Sequence, residues 1–192
     1  VLFRSPEPTT GSADADAIVA LLPAGDHAVF TAEYAVSVPM TGLTTTATVT
    51  QAEDGSRGVT IGDTRFVFPK FSERRDARTC VVSTGRCNNG LDATTTSDTM
   101  LGPTWASSSL RARVRTDLAA AADVPSVSDD TIAGQSVRCL DIPLTPTDAD
   151  DTVWSQYCVL DNGVVARIAR TDVVVELTDF RAEADSATLG VP

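Results

Sequence analysis

The sequence has few aromatic residues, one lysine and one histidine. Aromatic side chains make up 5% of the 192 residues, so we expect a core of valine, isoleucine, leucine and alanine. The single lysine is Lys70 and the single histidine is His27. Nucleophilic triads and histidine-containing zinc sites need a histidine with suitably placed partners. His27 lies in "PAGDHAVF", which favours a surface or capping role, so we expect no catalytic residues and no enzyme.

Positive charge is also scarce. The chain carries 15 lysine and arginine residues against 26 aspartate and glutamate residues, a net charge of −11. Nucleic-acid binding requires clustered basic residues, and only Arg111, Arg113 and Arg115 lie near one another in sequence. The composition therefore excludes nucleic acid as a partner and is typical of a solvated, acidic surface.

Long apolar runs are absent as well. No stretch of roughly 18 apolar residues occurs, so the sequence predicts no transmembrane helix.

The 192 residues are enough for one domain with its own core. We expect a flexible N-terminal tether over residues 1–14, one domain over 15–185 and a C-terminal tail over 186–192. The chain does not begin with methionine, and we expect a mature form or a fragment.

Four cysteines are present, an even number that predicts two disulfides and an extracytoplasmic location. They form two local pairs, Cys80 with Cys87 and Cys139 with Cys158, although three connectivities remain open from the count alone. Their spacings fit no zinc-ribbon pattern. We therefore expect neither a metal nor a cofactor.

A hairpin around the polar loop "TPTDAD" would bring one of these pairs together. If residues 137–144 and 153–160 are its strands, a symmetric register places Cys139 directly opposite Cys158. Cross-strand neighbours lie about 4.5–5.5 Å apart, within reach of a disulfide. Loop closure of this length stabilises the fold by about 3 kcal/mol.

The first half of the chain predicts strands. In "VFTAEYAVSV" every second residue is apolar or aromatic, which indicates a half-buried strand. The dipeptides Asp54-Gly55 and Gly62-Asp63 predict two reversals, followed by a strand in which Phe66 and Phe68 share a side. "RTCVVSTGRC" predicts a further short ribbon.

Two helices are predicted. Ser12 can cap a short helix that ends at Pro23. Over residues 105–122, Leu110, Val114 and Leu118 recur at helical spacing, with the charged residues pointing mostly elsewhere. A helix packed on a sheet is favoured over one lying on a membrane, because the apolar stripe is narrow and rich in alanine.

The last third predicts an antiparallel meander with turns at Asn162-Gly163 and at residues 169–172. One face would be apolar and the other mostly polar, with the 139–158 disulfide on the polar face. The apolar face would collect Leu140, Ile142, Tyr157, Val159, Ala166, Ile168, Val173, Val175 and Leu177. The predicted fold class is α+β, a curved antiparallel sheet (an incomplete β-barrel) wrapped around a few helices.

Three segments resemble the LolA/LolB-like superfamily, which includes bacterial lipoprotein carriers and mycobacterial LppX/LprG-type lipoproteins. They are "FTAEYAVSV", "TIAGQSVRCLDIPL" and "YCVLDNGVVARIARTDVVVELTDF", and the resemblance spans roughly residues 15–183. It implies an incomplete barrel whose hollow between sheet and helices holds lipid or acyl chains. The four cysteines and the few aromatics depart from the carrier pattern. No lipidated cysteine precedes "SPEPTTGSA", so a lost N-terminal membrane anchor is a hypothesis.

The resulting functional prediction is an extracytoplasmic, membrane-tethered lipoprotein domain that binds a lipid or other amphipathic ligand in a hydrophobic cavity between sheet and helices. The alternative is an envelope sensor or scaffold domain of the same fold, with a closed core and a protein partner. We expect a monomer. The predicted ligand-binding residues are Tyr34, Val36, Phe66, Phe68, Leu110, Val114, Leu118, Tyr157, Val159, Ile168 and Val175.

Overall fold

The computed structural model describes residues 12–72, 76–92, 101–145 and 153–191. Within these residues, eleven strands form one antiparallel sheet, accompanied by three α-helices and one 3-10 segment. The helices are α1 (Ala13–Leu21), α2 (Ser108–Ala119) and α3 (Ser186–Leu189), and the 3-10 segment is Leu22–Asp26. The strands are β1 (Phe30–Val38), β2 (Leu43–Gln51), β3 (Arg57–Ile61), β4 (Thr64–Phe68), β5 (Arg78–Val81), β6 (Arg86–Asn89), β7 (Ser126–Ile132), β8 (Gln135–Pro143), β9 (Trp154–Val159), β10 (Val165–Ala169) and β11 (Val174–Arg181).

The sheet consists of two consecutive meanders joined through β1 and β11. Its strand order is β6-β5-β4-β3-β2-β1-β11-β10-β9-β8-β7. At the junction Thr31 pairs with Arg181 and Val36 with Val175, so the first strand lies beside the last. In the described part of the chain the sheet ends at β6 and β7 without closing. The predicted α+β class with an incomplete barrel is confirmed.

The predicted register of the second meander is confirmed except near the β9–β10 turn, where a shift between Val165 and Arg167 pairs Val159 with Val165 instead of with Ala166. Leu140 pairs with Tyr157, Tyr157 with Ile168, and Ile168 with Val175. Paired residues of neighbouring strands point to the same face, and all four side chains are buried. We call this the inner face.

The helices on the inner face are shorter than the sequence predicted. Ser12 caps α1 as expected, accepting a hydrogen bond from the Ala15 amide at 3.4 Å. Helix α2 covers Ser108–Ala119 rather than residues 105–122. The residues before it form turns, and at its end the Ala120 amide also bonds the carbonyl oxygen of Asp117, only three residues earlier. Leu110 and Val114 are buried beneath it. None of the described helices has the length and apolar character needed to cross a membrane.

The turn at Asn162-Gly163 lies against the end of α1. Gly163 has φ +79°, and a Cβ there would lie 2.1 Å from the carbonyl oxygen of Leu21. Glycine is therefore required both by the turn conformation and by the close approach of the α1 backbone.

Both predicted disulfides are present, one in each meander. Cys80 is bonded to Cys87 and Cys139 to Cys158, each between directly paired residues of adjacent strands. The second differs from the prediction in its surroundings, because both of its cysteines are buried rather than exposed on a wet face.

The burial of this disulfide follows from the curl of the sheet. Strands β7 and β11 contact each other although three strands separate them, whereas four strand spacings in a flat sheet would be about 19 Å. Arg167, which pairs with Cys158, bonds Glu176 at 2.9 Å and reaches Asp130 of β7 at 3.3 Å. The rolled sheet and this charged network cover the disulfide.

The segment expected to be a C-terminal tail contains α3, which packs on the face opposite α2. Thr31, Thr50 and Gly58 form a row across β1, β2 and β3. The Thr188 hydroxyl bonds Thr50, and the Asp185 amide donates to the Thr31 hydroxyl at 2.9 Å. A Cβ at Gly58 would lie 2.1 Å from the carbonyl oxygen of Thr188, so glycine makes room for α3.

Candidate functional site

The structure gathers the predicted ligand-binding residues into the hydrophobic core. Ten of them are buried, and Leu118 is half-buried in the last turn of α2. The buried ones are Tyr34, Val36, Phe66, Phe68, Leu110, Val114, Tyr157, Val159, Ile168 and Val175. Their packing against one another gives the inner face a filled interior, and their contact with a ligand stays a prediction.

Aromatic side chains fill the part of this interior that lies beside the first meander. The Tyr34 and Trp105 rings meet edge to face with centroids 5.0 Å apart, and Phe68 and Phe71 do so at 5.1 Å. The Tyr34 hydroxyl donates to the carbonyl oxygen of Val165 at 3.0 Å. Burial raises the pKa of Tyr34 far above its ordinary value, so this phenol is a neutral structural donor rather than a proton-transfer group.

A polar network joins α2 to the second meander. The Tyr157 hydroxyl donates to Asp117 at 2.6 Å, and Arg170 lies 3.4 Å from the other carboxylate oxygen. Burial, and then the bond to Asp117, raises the pKa of Tyr157. The helical pattern predicted that the charges of α2 point mostly away from the core, whereas Asp117 is buried and accepts a hydrogen bond from Tyr157 of the sheet. Only a tyrosine on the apolar face signalled that a polar partner was needed.

A buried arginine lies under the 3-10 segment, and the sequence analysis missed it. The Arg57 side chain is 1% exposed. Its Nη1 atom is 3.1 Å from Oε1 of Gln51 and 3.5 Å from Oδ1 of Asp26, and its guanidinium lies 4.4 Å from the centroid of Phe71. Burial lowers the pKa of Arg57 to about 10, against the opposing effect of Asp26. Arg57 therefore keeps its charge at neutral pH.

The signal for this arginine was its position in the β2–β3 hairpin. Arg57 pairs with Gln51 on one side and with Phe68 on the other, which puts it on the same face as the core aromatics. Asp26 supplies the counter-charge and also forms a salt bridge with Arg111 of α2. The 3-10 segment is thereby tied to both the sheet and α2.

Among the described residues, two small clefts border the helices. One measures about 170 Å³ and opens between the turn before α2 and the sheet; it is lined by Leu101, Gly102, Trp105, Ser109, Leu110, Arg113 and Ile168. The other measures about 190 Å³, and we call it the α1–α2 groove; it is lined by Val19, Ala20, Leu22, Pro23, Arg111 and Arg115.

Larger and more open clefts lie elsewhere on the sheet. One of about 630 Å³ borders β4, β5 and the chain beyond α3, and one of about 450 Å³ borders the β7–β8 hairpin. Neither touches α2, so neither corresponds to the predicted hollow between sheet and helices.

The described residues contain no group of three or more histidine, cysteine, aspartate or glutamate side chains that could hold a metal ion. His27 is exposed at the end of the 3-10 segment. The acidic loop with Asp148, Asp150 and Asp151 lies outside the described residues.

The sequence matches no family model and no curated protein. Solved structures do match. MucB in the structure of the Pseudomonas aeruginosa MucA/MucB complex is 14% identical, with a TM-score of 0.55 over 94% of this chain and 62% of that one. A crystal structure of MucB is 18% identical, with a TM-score of 0.55 over 95% and 64%. A LolA superfamily protein from Nitrosomonas europaea is 10% identical, over 89% of this chain and 94% of that one. Its TM-score of 0.39 is too low to indicate a shared fold.

The likeness to the MucB structures shows that this chain shares their fold. The chain spans 62% and 64% of the two MucB chains it matches, and identities this low concern the fold alone. The two disulfides indicate an extracytoplasmic domain.

Proposed function

We propose that this extracytoplasmic domain binds a protein partner through its outer surface and keeps the space between sheet and helices closed. The observation that carries the proposal is the filled inner face, where ten of the eleven predicted ligand-binding side chains are buried in one core. Ligand pockets typically measure about 300–1,000 Å³. The two clefts beside the helices measure about 170 and 190 Å³.

The comparison supports the same proposal. Two of the matching MucB structures are complexes with MucA. A shared fold does not mean that two proteins bind the same partner. The complexes nevertheless support the proposal, because they are examples of protein binding by a domain of this fold.

Lipid binding is the second candidate, favoured by one observation. The cleft of about 170 Å³ is lined by Leu101, Leu110 and Ile168, with Trp105 and Arg113 at the same site. Among the described residues, the buried Nε1 atom of Trp105 has no hydrogen-bond partner. The end of one acyl chain with a polar group nearby would match this lining. A tethered lipoprotein form is part of this candidate, and an upstream lipobox in the reading frame tests it.

Two measurements separate these functions. The domain, immobilised through its N-terminus, is exposed to envelope extract from its source cells, and each captured protein is purified and titrated against the domain by calorimetry. We expect saturable binding to one purified envelope protein, and a native mass spectrum of the domain without added lipid mass. A co-purifying lipid with no protein that binds on titration would overturn the proposal in favour of the second candidate.

We also propose that the domain is not an enzyme. All four cysteines are in disulfides, and the exposed His27 has no described hydrogen bond from its side chain to an acid. A broad hydrolase screen should show no activity above buffer. Activity abolished by His27→Ala would refute this.

A further inference from the structure

Strand β6 leaves one side of its backbone without a partner strand. It lies at the edge of the sheet and pairs with β5 alone in the described part of the chain. The Gly90 amide donates to the Ala77 carbonyl oxygen at 2.7 Å, one position beyond Asn89. Bonded and non-bonded positions alternate along an antiparallel ladder, so Asn89 and Cys87 occupy non-bonded positions. Their amide and carbonyl groups therefore point away from β5.

These outward backbone groups are able to bond another chain. Among the described residues, none donates to them or accepts from them. Asn89 is exposed and Cys87 is half-buried. They are two residues apart, which is the repeat at which a strand presents its backbone to a neighbouring strand. An extended polypeptide matches this pattern, and the addition of a strand to a free sheet edge is a recurring mode of peptide recognition.

The cleft of about 630 Å³ lies on one face of this edge, and we call it the edge cleft. Val67, Arg78 and Asn89 form one row across β4, β5 and β6 on the face that carries α3, and all three line the cleft. Its apolar lining includes Leu189 and Val191. The volume lies within the usual range of about 300–1,000 Å³ for binding pockets. A residue opposite Asn89 on an added strand would point to the same face and enter this cleft.

The ribbon of β5 and β6 is basic, although the chain has a net charge of −11. The two strands contain Arg78 and Arg86 and no carboxylate. In the part of the chain that the structure describes, neither arginine side chain forms a salt bridge or a hydrogen bond. Asp63, at the neighbouring turn, has both carboxylate oxygens bonded to Ser83.

The two arginines differ in their surroundings. Asp76 lines the edge cleft together with Arg78, so the cleft itself holds one charge of each sign. Arg86 is three residues from Asn89 and points to the opposite face of β6, outside the cleft. It is exposed and lies directly at the edge. A carboxylate of an added strand is therefore best placed opposite Arg86, because oppositely charged cross-strand neighbours attract.

We propose that β6 and the edge cleft dock an extended segment of a partner protein, which adds to the sheet antiparallel to β6. The segment would exchange backbone hydrogen bonds with Cys87 and Asn89. Its residue opposite Asn89 would be apolar, and its residue opposite Arg86, three positions later, would be aspartate or glutamate. A second copy of the chain is disfavoured as the occupant, because two strongly negative molecules repel each other. This inference rests on the proposed function and gives it a surface and a partner chemistry.

The test begins with a selection of short random linear peptides displayed on phage, with the full chain as the target. The enriched peptides should carry an apolar residue followed three positions later by aspartate or glutamate. A fluorescein-labelled copy of the most enriched peptide should bind the wild type in an anisotropy titration. Copies of it that are N-methylated at one residue at a time should lose affinity at every second residue, because only alternate amides of an added strand face the protein.

Two substitutions of one residue test the edge itself. Asn89→Pro removes the outward amide without removing a bond to β5. It should lower the affinity about tenfold, the size of effect expected when a backbone hydrogen bond is lost. Asn89→Ala keeps that amide and should bind as the wild type does. Both should keep the wild-type melting temperature, and the N-methylated peptides keep the test valid if Asn89→Pro unfolds.

A second pair of variants tests the charge. Arg86→Gln should weaken peptide binding severalfold and reduce its dependence on salt, because it removes the cation opposite the carboxylate of the peptide. Arg115→Gln is the matched control, since it removes one positive charge from an exposed position of α2. This control should bind the peptide as the wild type does.

Several results would overturn the inference. They are a selection that enriches no binding peptide, enriched peptides without an acidic residue, an N-methyl scan without alternation, and equal binding by Asn89→Pro and Asn89→Ala. A wild type that sediments as a dimer, which Asn89→Pro dissociates, would assign the edge to a second copy instead. The proposed function fails separately, if no purified envelope protein binds the wild type. If such a protein binds the wild type and Asn89→Pro equally, only the edge is wrong.

Discussion

Removing the negative charge of Asp26 should destabilise the domain by about 3 kcal/mol, because it leaves the buried Arg57 cation without a counter-charge. The Arg57 side chain is 1% exposed, and its pKa of about 10 keeps it protonated at neutral pH. Loss of one partner from a buried ion pair typically costs about 3–5 kcal/mol. We take the lower end for Asp26→Asn, because Asp26 is 18% exposed and water screens part of the remaining charge.

A double-mutant cycle separates this charge effect from packing. Arg57→Met keeps an unbranched apolar stem but loses the contacts with Gln51 and Phe71, so it should cost about 1–2 kcal/mol. Asp26→Asn/Arg57→Met should be more stable than Asp26→Asn alone, since it leaves no unpaired charge. Arg111→Gln is the matched control: it removes the partly exposed partner of the same carboxylate and should cost about 1 kcal/mol or less.

The assay is urea unfolding at pH 7 followed by circular dichroism, with linear extrapolation to water. Urea is preferred to guanidinium because it does not screen charge. A loss below about 1 kcal/mol for Asp26→Asn would refute the reasoning, since Arg57 would then have its counter-charge elsewhere. A double variant as unstable as the sum of the single variants would refute the coupling.

Three further predictions concern the disulfides, the C-terminal helix and the buried tyrosines. Replacing Cys139 and Cys158 by alanine should lower the free energy of unfolding by about 3 kcal/mol in urea titrations, because the bond closes a loop with a sequence separation of 19. Gly58→Val should displace α3 and raise hydrogen exchange in the C-terminal segment, because a Cβ there would lie 2.1 Å from the Thr188 carbonyl oxygen. Tyr34→Phe should cost about 1 kcal/mol at pH 7 but flatten the loss of stability at alkaline pH. Burial raises the pKa of Tyr34 above its ordinary value of 10.0, so its contribution is full below that pH and is lost above it as the unfolded state ionises.

Each of these predictions has a control. Replacing Cys80 and Cys87 by alanine should cost less, about 2 kcal/mol, because their separation is 7; a larger loss than for the other pair would contradict the loop-length argument. Gly102→Val introduces a side chain where no atom lies within 4 Å, and exchange near α3 should stay at the wild-type level. If Gly58→Val leaves that exchange unchanged too, α3 is not seated on β3. A Tyr34→Phe profile parallel to the wild type above pH 10.0 would show that the phenol ionises freely when folded.

The sequence predicted the strands and their faces well, because alternation and turn residues are local properties. The Asn162-Gly163 turn sets the register that aligns Tyr157 with Ile168, and the polar hairpin loop sets the one that pairs Cys139 with Cys158. Both registers follow from residues only a few positions apart in sequence. The pleat then determines which side chains share a face.

The features that sequence reasoning missed depend on contacts between distant parts of the chain. Alternation placed the 139–158 disulfide on the polar face but could not predict the curl that covers it. A charged residue such as Arg57 is expected at the surface, and its burial depends on Asp26, which is 31 residues away. Predicting that Gly58 makes room for α3 would have required knowing that the chain returns across β1, β2 and β3.

The pairing of β1 with β11 has a consequence for how the protein is made. The amino-terminal meander can pair its own strands early, but β1 then stands at an open edge until a segment about 150 residues further along the chain arrives, the separation of Thr31 from Arg181. An apolar strand left unpaired for that long is a template for association with other chains. The newly exported polypeptide is therefore most vulnerable to aggregation before its last strand docks, and a holding chaperone would be most useful to it in that interval.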